Sequence, residues 1–223
     1  MNLLNVDCME YMKGCKDKHF ELAIVDPPYG IGEDGGKGVR ISPSRPNSYN
    51  RKPKYEAKGW DKKPPNKDYF IELLRVSKNV IIFGANHFIE NIPKANSSCW
   101  IVWDKKNEGT DFADCELAWS NMKTTVRKFR VHKFLGTRGG QLCIHPTQKP
   151  VKLYKWLLTH FAKEGQSIFD SHGGSMSLAI ACHDLGFNAT ICELDKDYYD
   201  AAVKRYNNHI SQTDLFKNDK EVA

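Results

Sequence analysis

The chain has 223 residues, 40% of them hydrophobic and 27% charged, an ordinary globular composition for one large or two small domains with a sizeable core. Seven scattered cysteines with no C-x-x-C pair argue against a disulfide framework and against zinc, and read as free thiols in a reducing cytoplasm. No apolar run reaches the length that spans a bilayer, "MNLLNVDCMEYMKG" is too short and too acidic for a targeting segment, and the net charge of +6 fits a polyanionic partner.

In chain order, "ELAIVD" (21–26) is a buried-strand run that ends on a carboxylate. Pro27 and Pro28 follow, and a residue without an N–H and with fixed φ continues neither a helix nor a central strand. Residues 31–65 form a long irregular basic loop, with nine Lys/Arg between Lys37 and Lys63 against Glu56 and Asp61. "KDYFIELLRVS" (67–77) is a helix with Asn66 as N-cap and Phe70, Leu73, Leu74 and Ser77 on one face. "NVIIFG" (79–84), "CWIVWDK" (99–105) and "CELAWSN" (115–121) are strands. From Leu117 to Lys163 there is no acid but ten Lys/Arg, which favours a polyanion-binding surface. "PVKLYKWLLTHFAK" (150–163) is a helix with Leu153, Trp156, Leu157 and Phe161 inward. Then come a strand "SIFD" (167–170), a helix "SLAIACHDLG" (177–186) closed by Gly186, a strand "NATICEL" (188–194), a helix (197–210) and a frayed tail. This alternation predicts an α/β fold around a largely parallel sheet. Ligands bind outside the carboxyl ends of such strands, where Asp26, Asp170 and Glu193 are expected.

"DPPYG" (26–30), "HPTQKP" (145–150) and "SIFDSHGGSMSLAIACHDLGFNATICELDKDYYDAA" (167–202) together resemble the amino-methylating DNA methyltransferases that use S-adenosylmethionine. Their order resembles the permuted beta arrangement of that family, and "LLNVDCMEYMK" resembles its start. The resemblance implies a Rossmann-like methyltransferase fold: a mostly parallel twisted sheet, helices on both faces, and basic loop insertions. It implies a single domain over 1–223, with 31–65 as a basic loop and 121–144 as a short target-recognition insertion. S-adenosylmethionine is the implied cofactor and double-stranded DNA the implied partner. A homodimer and a cognate restriction enzyme are further candidate partners.

The chemistry accounts for the proline motif. An exocyclic amine is a poor nucleophile because its lone pair is delocalised into the base. The Asp26 carboxylate and the Pro27 carbonyl can accept its two hydrogens, and Pro27 and Pro28 fix the turn beforehand. Tyr29 can stack on a base swung out of the duplex. By resemblance, Asp170 lies near the cofactor's ammonium, Glu193 takes its ribose hydroxyls, and Asp7, followed by the small Cys8, sits by its adenine. Gly173, Gly174 and Ser175 form the close-approach loop, with His172 in place of the family's aromatic. His145, Thr147 and Lys149 cover the methionine end, Thr147 as a direct contact and Lys149 for the carboxylate. The usual loop is close to Asp-Pro-Phe-x-Gly-Ser-Gly-Thr; here Ser171, His172 and Met176 depart from it. Met176 is expected to add bulk where the backbone should be bare and so to lower cofactor affinity.

Phosphate contacts are expected from Lys37, Arg40, Arg51 and Lys52 in the first basic segment, and from Arg127, Arg130, Lys133 and Arg138 in the second, with Phe129 and Phe134 interleaved. Asp at the head of the proline motif favours the 6-amino group of adenine. Cytosine 4-amino methylation, a catalytically weak or inactive DNA-binding relative, and a small-molecule methyltransferase remain alternatives. Methylation at cytosine carbon 5 is not expected, because no Pro-Cys pair supplies the thiol.

Overall fold

The computed structural model describes residues 1–35, 55–108, 113–132 and 143–221, with side chains to residue 212. Chain order runs β1 (Asn2–Leu4), α1 (Cys8–Lys13), β2 (Phe20–Val25), α2 (Lys67–Val76), β3 (Ser77–Phe83), β4 (Cys99–Asp104), β5 (Cys115–Ser120), β6 (Arg127–Arg130), α3 (Val151–Phe161), β7 (Ser167–Asp170), α4 (Ser177–Leu185), β8 (Asn188–Cys192) and α5 (Lys196–Glu221). Two single 3-10 turns, Ala85–His87 and Ile89–Asn91, follow β3. Among the described residues no helix is long and apolar enough to cross a membrane.

The strands form one sheet in the order β1-β8-β7-β2-β3-β5-β4-β6. All neighbours pair parallel except β5, which is antiparallel to both β3 and β4. β2 reads as an almost unbroken apolar run because both its faces are covered, as a central parallel strand requires. Leu22 and Ile24 pack with Ile81, Phe83, α3 and α4. Ala23 and Val25 pack on the other face with Val80, Ile82, Met12 of α1, and Phe70 and Leu73 of α2. Helices thus cover both faces, as expected.

Several boundaries and faces differ from the sequence reading. Asn66 caps α2, its Oδ1 accepting from the Tyr69 N–H at 3.3 Å, but the helix stops at Val76 and Ser77 already belongs to β3. On α3 the buried residues are Leu153, Tyr154, Leu157 and Leu158. Trp156 and Phe161 are only partly buried, with Trp156 stacked on Phe129 at 4.9 Å, because the inward stripe of α3 runs one residue off the expected one. α5 continues to Glu221 instead of fraying after Ile210. Of the expected 121–144 insertion, residues 133–142 lie outside the described residues. Residues 121–126 turn at the amino ends of the parallel strands, Arg127–Arg130 is an edge strand parallel to β4, and the chain regains the carboxyl rim only beyond Arg130. A four-residue strand of Arg, Lys and Phe lacks the apolar alternation that betrays a strand.

The chain runs outward from β2 to β3 on one side, while β7 leads to β8 on the other. The crevice between the carboxyl ends of β2 and β7 is therefore the topological switch point where open α/β sheets bind ligands.

Candidate active site

Three acids meet at that rim. Asp170 is the last residue of β7, Asp26 follows β2 directly, and Glu193 follows β8. Asp26 is the hub of a largely buried ion cluster. Its Oδ2 lies 2.5 Å from the Lys149 Nζ, and its Oδ1 accepts from the Tyr29 hydroxyl at 2.7 Å. The Lys149 Nζ also lies 3.1 Å from Glu116 Oε2 and donates to the Tyr29 hydroxyl at 3.2 Å. Glu116 Oε1 is held by the Lys105 Nζ at 2.6 Å. Two carboxylates and two ammoniums thus balance, which a site this dry demands. Burial pushes the Asp26 carboxyl above its ordinary range in spite of Lys149. Burial would also raise Glu116, but Lys149 and Lys105 outweigh it and hold that carboxyl down at about 2. Lys149 is raised as well: burial opposes its charge, but Asp26 and Glu116 overcome the penalty.

The turn after Asp26 is fixed from outside as well as by its prolines. Asp61 is 2% exposed. Its Oδ1 accepts from the backbone N–H groups of Tyr29 at 2.7 Å and Gly30 at 2.8 Å, and its Oδ2 accepts from that of Glu33 at 2.7 Å. Gly30 has φ +76°, and a Cβ there would lie 2.5 Å from Pro64 Cδ. The Tyr29 ring stacks on His87 at 5.2 Å in a slot that Gly84 leaves open: a Cβ on Gly84 would stand 2.1 Å from the ring. Tyr29 is therefore already engaged at its hydroxyl and on one face.

The β7–α4 loop is a second cradle. Asp170 is 2% exposed; its Oδ1 accepts from the His172 N–H at 3.0 Å, and no ion pair reaches it among the described residues. Burial raises its pKa to about 8. Ser171 joins the Tyr69 hydroxyl at 2.6 Å to His172 Nδ1 at 2.8 Å, and burial lowers the His172 imidazole to about 4. Gly174, with φ +51°, donates its N–H to Glu193 Oε2 at 2.7 Å, while Glu193 Oε1 accepts from the Asp195 N–H at 2.8 Å. His145 lies over Gly174 between Trp60, stacked at 5.3 Å, and Tyr198 at 4.4 Å; burial and then Lys149 lower its pKa to about 4. Thr147 Oγ1 is bonded to His145 Nδ1 at 3.2 Å. A strap from 55 to 61 closes over this end. Its Lys58 pairs with Asp195 at 2.7 Å and Asp197 at 2.8 Å, and the Tyr55 hydroxyl donates to the Cys143 carbonyl at 2.5 Å.

Two sequence-based expectations, for Lys149 and Met176, are corrected, and at Asp7 and Gly173 the structure adds a further contact. Lys149 does not join the Gly loop; it is turned into the rim of β2 because two carboxylates there compensate its burial. Met176 is fully buried in the core with φ +53°, so its bulk leaves the cradle; what the usual glycine avoids at this position is left-handed strain of about 1–2 kcal/mol. Asp7 caps its own helix, its Oδ1 accepting from the Met9 N–H at 2.7 Å and the Glu10 N–H at 3.2 Å. Beside it, burial raises the Cys8 thiol to about 12. Gly173 is required by packing, since a Cβ would lie 2.7 Å from Ile191 Cγ2.

Of the expected DNA contacts, Arg127 lies exposed on β6, whereas Arg130 is paired with Glu108 and, at 3.4 Å, with Asp104. Lys37, Arg40, Arg51, Lys52, Lys133 and Arg138 lie outside the described residues. The sequence reading missed Glu116, Lys105, Asp61 and Gly84; the one available signal was Glu116 as the last acid before the acid-free stretch. Away from the rim, His183, Asp184 and His209 bring ligand-type atoms within 4.8 Å of one another, with the Lys155 Nζ on Asp184 Oδ2 at 2.6 Å.

The cradle fits a cationic cofactor: a buried acid with no ion pair among the described residues, bare backbone beside it, and an acid on the next strand. Comparison with known proteins agrees. A DNA methylase family model, N6_N4_Mtase, matches residues 94–204. The type II methyltransferase M2.DpnII of Streptococcus pneumoniae is 23% identical over 256 residues, covering 92% of this chain and 89% of that protein. Among solved structures, M1.HpyAVI in complex with SAM superposes with a TM-score of 0.60 at 18% identity, over 92% of this chain and 98% of that one. The cytosine-N4-specific PvuII DNA methyltransferase gives a TM-score of 0.57 at 12% identity, over 95% and 89%. The fold is the Rossmann-like methyltransferase fold, and residues 94–204 match the N6/N4 DNA methylases, so the chain is similar to the S-adenosylmethionine-dependent amino-methyltransferases of DNA.

Proposed function

We propose that the chain is one methyltransferase domain that methylates the 6-amino group of adenine in a short DNA site, with Asp26 and the Pro27 carbonyl as the acceptors that activate the amine. The observation that carries this is a half-buried, prefixed Asp26, paired with the buried Lys149 at the switch point, one strand from the buried Asp170. Bound S-adenosylmethionine supplies an electrophilic methyl group on a sulfonium. Asp170 would hold the ammonium end of that cofactor, with the Gly173–Ser175 backbone against it. Glu193 would take the ribose hydroxyls, and His145 and Thr147 would close the methionine end. Asp26 would accept one amine hydrogen and Pro27 the other, drawing the nitrogen lone pair out of conjugation. The everted base takes a place on the Tyr29 ring. The exposed Arg127 and the basic residues of 31–65 and 133–142 neutralise phosphates. A cognate restriction enzyme and a homodimer are the proposed partners, in the cytoplasm.

The test is to express the chain in a host free of DNA methylation and sequence that DNA with detection of modified bases. Methyl groups on adenine N6 at one short sequence are expected, and Asp26→Ala should abolish them while calorimetric cofactor binding persists. Methyl groups on cytosine N4 would transfer the assignment to the other base, and undiminished methylation by Asp26→Ala would overturn the role of Asp26.

A further inference from the structure

We infer that Lys149 is an internal counter-ion shared between two carboxylates, and that Glu116 is a positioning residue that draws it off Asp26 when the target amine arrives. The inference rests on the role proposed above for Asp26.

Both oxygens of Asp26 already face donors: Tyr29 on Oδ1 and Lys149 on Oδ2. An incoming amine hydrogen has to replace one of them. The Lys149 side chain is 3% exposed, so its ammonium cannot retreat into water without a large penalty. Glu116 Oε2, 3.1 Å from the same Nζ, is the other carboxylate within reach, and a small swing transfers the ammonium to it. The Phe83 ring, 4.8 Å from the Nζ, keeps a favourable cation–π surface under the ammonium. Lys105 neutralises the far oxygen of Glu116, so Glu116 stays ionised in either position of Lys149.

The exchange also disposes of the reaction's proton. The amine nitrogen takes the methyl carbon, sulfur keeps the bonding pair, and the displaced N–H proton passes to Asp26. Return of Lys149 to Oδ2 then disfavours the protonated acid and releases that proton to solvent. The groups that set the field at Asp26 are Lys149 ahead of α3, Glu116 of β5 with Lys105 behind it, Tyr29 of its own loop, Asp170 of β7, Tyr69 of α2 and Tyr154 of α3.

The experiment is the pH profile of kcat for the full chain on duplex DNA carrying its methylation site. Glu116→Gln should lower kcat by about 30-fold, leave the cofactor KM within about twofold, and move the acid limb down by about one pH unit, because a charge that raises Asp26 is gone and Lys149 is left to Asp26 alone. Glu116→Asp should restore most of kcat. Lys149→Met should move the acid limb the opposite way, upward, and this variant decides the matter if Glu116→Gln fails to fold. An unshifted limb in either variant, or unchanged kcat in Glu116→Gln, overturns the inference. Asp26→Ala measured alongside separates the two levels: if it is inactive while Glu116→Gln is normal, only the counter-ion role fails; if it turns over, the role of Asp26 itself fails.

Discussion

Two acids, the half-buried Asp26 and the buried Asp170, stand at the ends of neighbouring strands, and the protein surrounds them in opposite ways. Asp26 has a lysine, a phenol and a second ion pair behind it, and its turn is tied down by the carboxylate of Asp61. Asp170 has one backbone N–H and no ion pair among the described residues, with Lys149 only as a more distant charge. The first site is built and neutralised before anything binds. On the function proposed above, a cationic ligand would relieve the second, so cofactor selection would reside in what the chain leaves out at β7, and amine activation in what it supplies at β2.

The contrast breaks most strongly at Asp170. Asp170→Asn should weaken S-adenosylmethionine binding by about 100-fold, since it removes one member of a buried ion pair. The ligand-free protein should respond in the other direction. With the folded pKa raised to about 8, the native state keeps a proton that the unfolded chain sheds. Native stability therefore falls as pH rises from the ordinary aspartate pKa toward about 8. Thermal melts across that window should show the slope in the unsubstituted protein and lose it in Asp170→Asn. A slope unaffected by the substitution would mean that Asp170 is not the unrelieved charge.

Gly84→Ala tests the prebuilt site. Its Cβ has to displace the Tyr29 ring from a 2.1 Å approach and adopt a φ of +68°, so turnover should fall about 10-fold, with about 1–3 kcal/mol of stability lost, while cofactor affinity holds. Equal losses of turnover and cofactor affinity would show that the two sites are not separable. The smallest effect is expected at Met176. Met176→Gly relieves the left-handed backbone but empties a fully buried side chain, so stability should fall by about 1–3 kcal/mol on balance with cofactor affinity within about threefold by calorimetry. A large gain in affinity would restore the view that the methionine crowds the cradle.

These contrasts also mark what the sequence makes legible. Asp26 and Asp170 are visible because each ends a short apolar run, and a parallel strand presents its carboxyl end to the ligand. Glu116 is not visible in this way. It stands near the beginning of β5, and only the antiparallel placement of β5 between β3 and β4 brings a strand's beginning to the rim where its neighbours end. Asp61 reads as one of two acids in a basic loop, although its carboxylate holds three backbone N–H groups; no local pattern reports bonds that span about thirty residues of chain. Lys149 lies within a motif resembling the family's, but its partners come from the end of β2 and from β5, and sequence spacing does not encode which of two neighbouring acids takes it. Lys58 belongs by composition to the DNA-binding loop yet is bound by Asp195 and Asp197, because composition counts charges without their partners.

The inserted antiparallel strand has one more effect. It brings Lys105 and Asp114 together at that rim, the Lys105 N–H donating to the Asp114 carbonyl at 2.9 Å, with Asp104 paired to Cys115 beside them. Chain added between those anchors shifts no strand register, and each doubling of such a loop costs only about 0.6 kcal/mol in closure entropy. The fold therefore carries a port near Asp26, where chain can be added without disturbing the strands that position it.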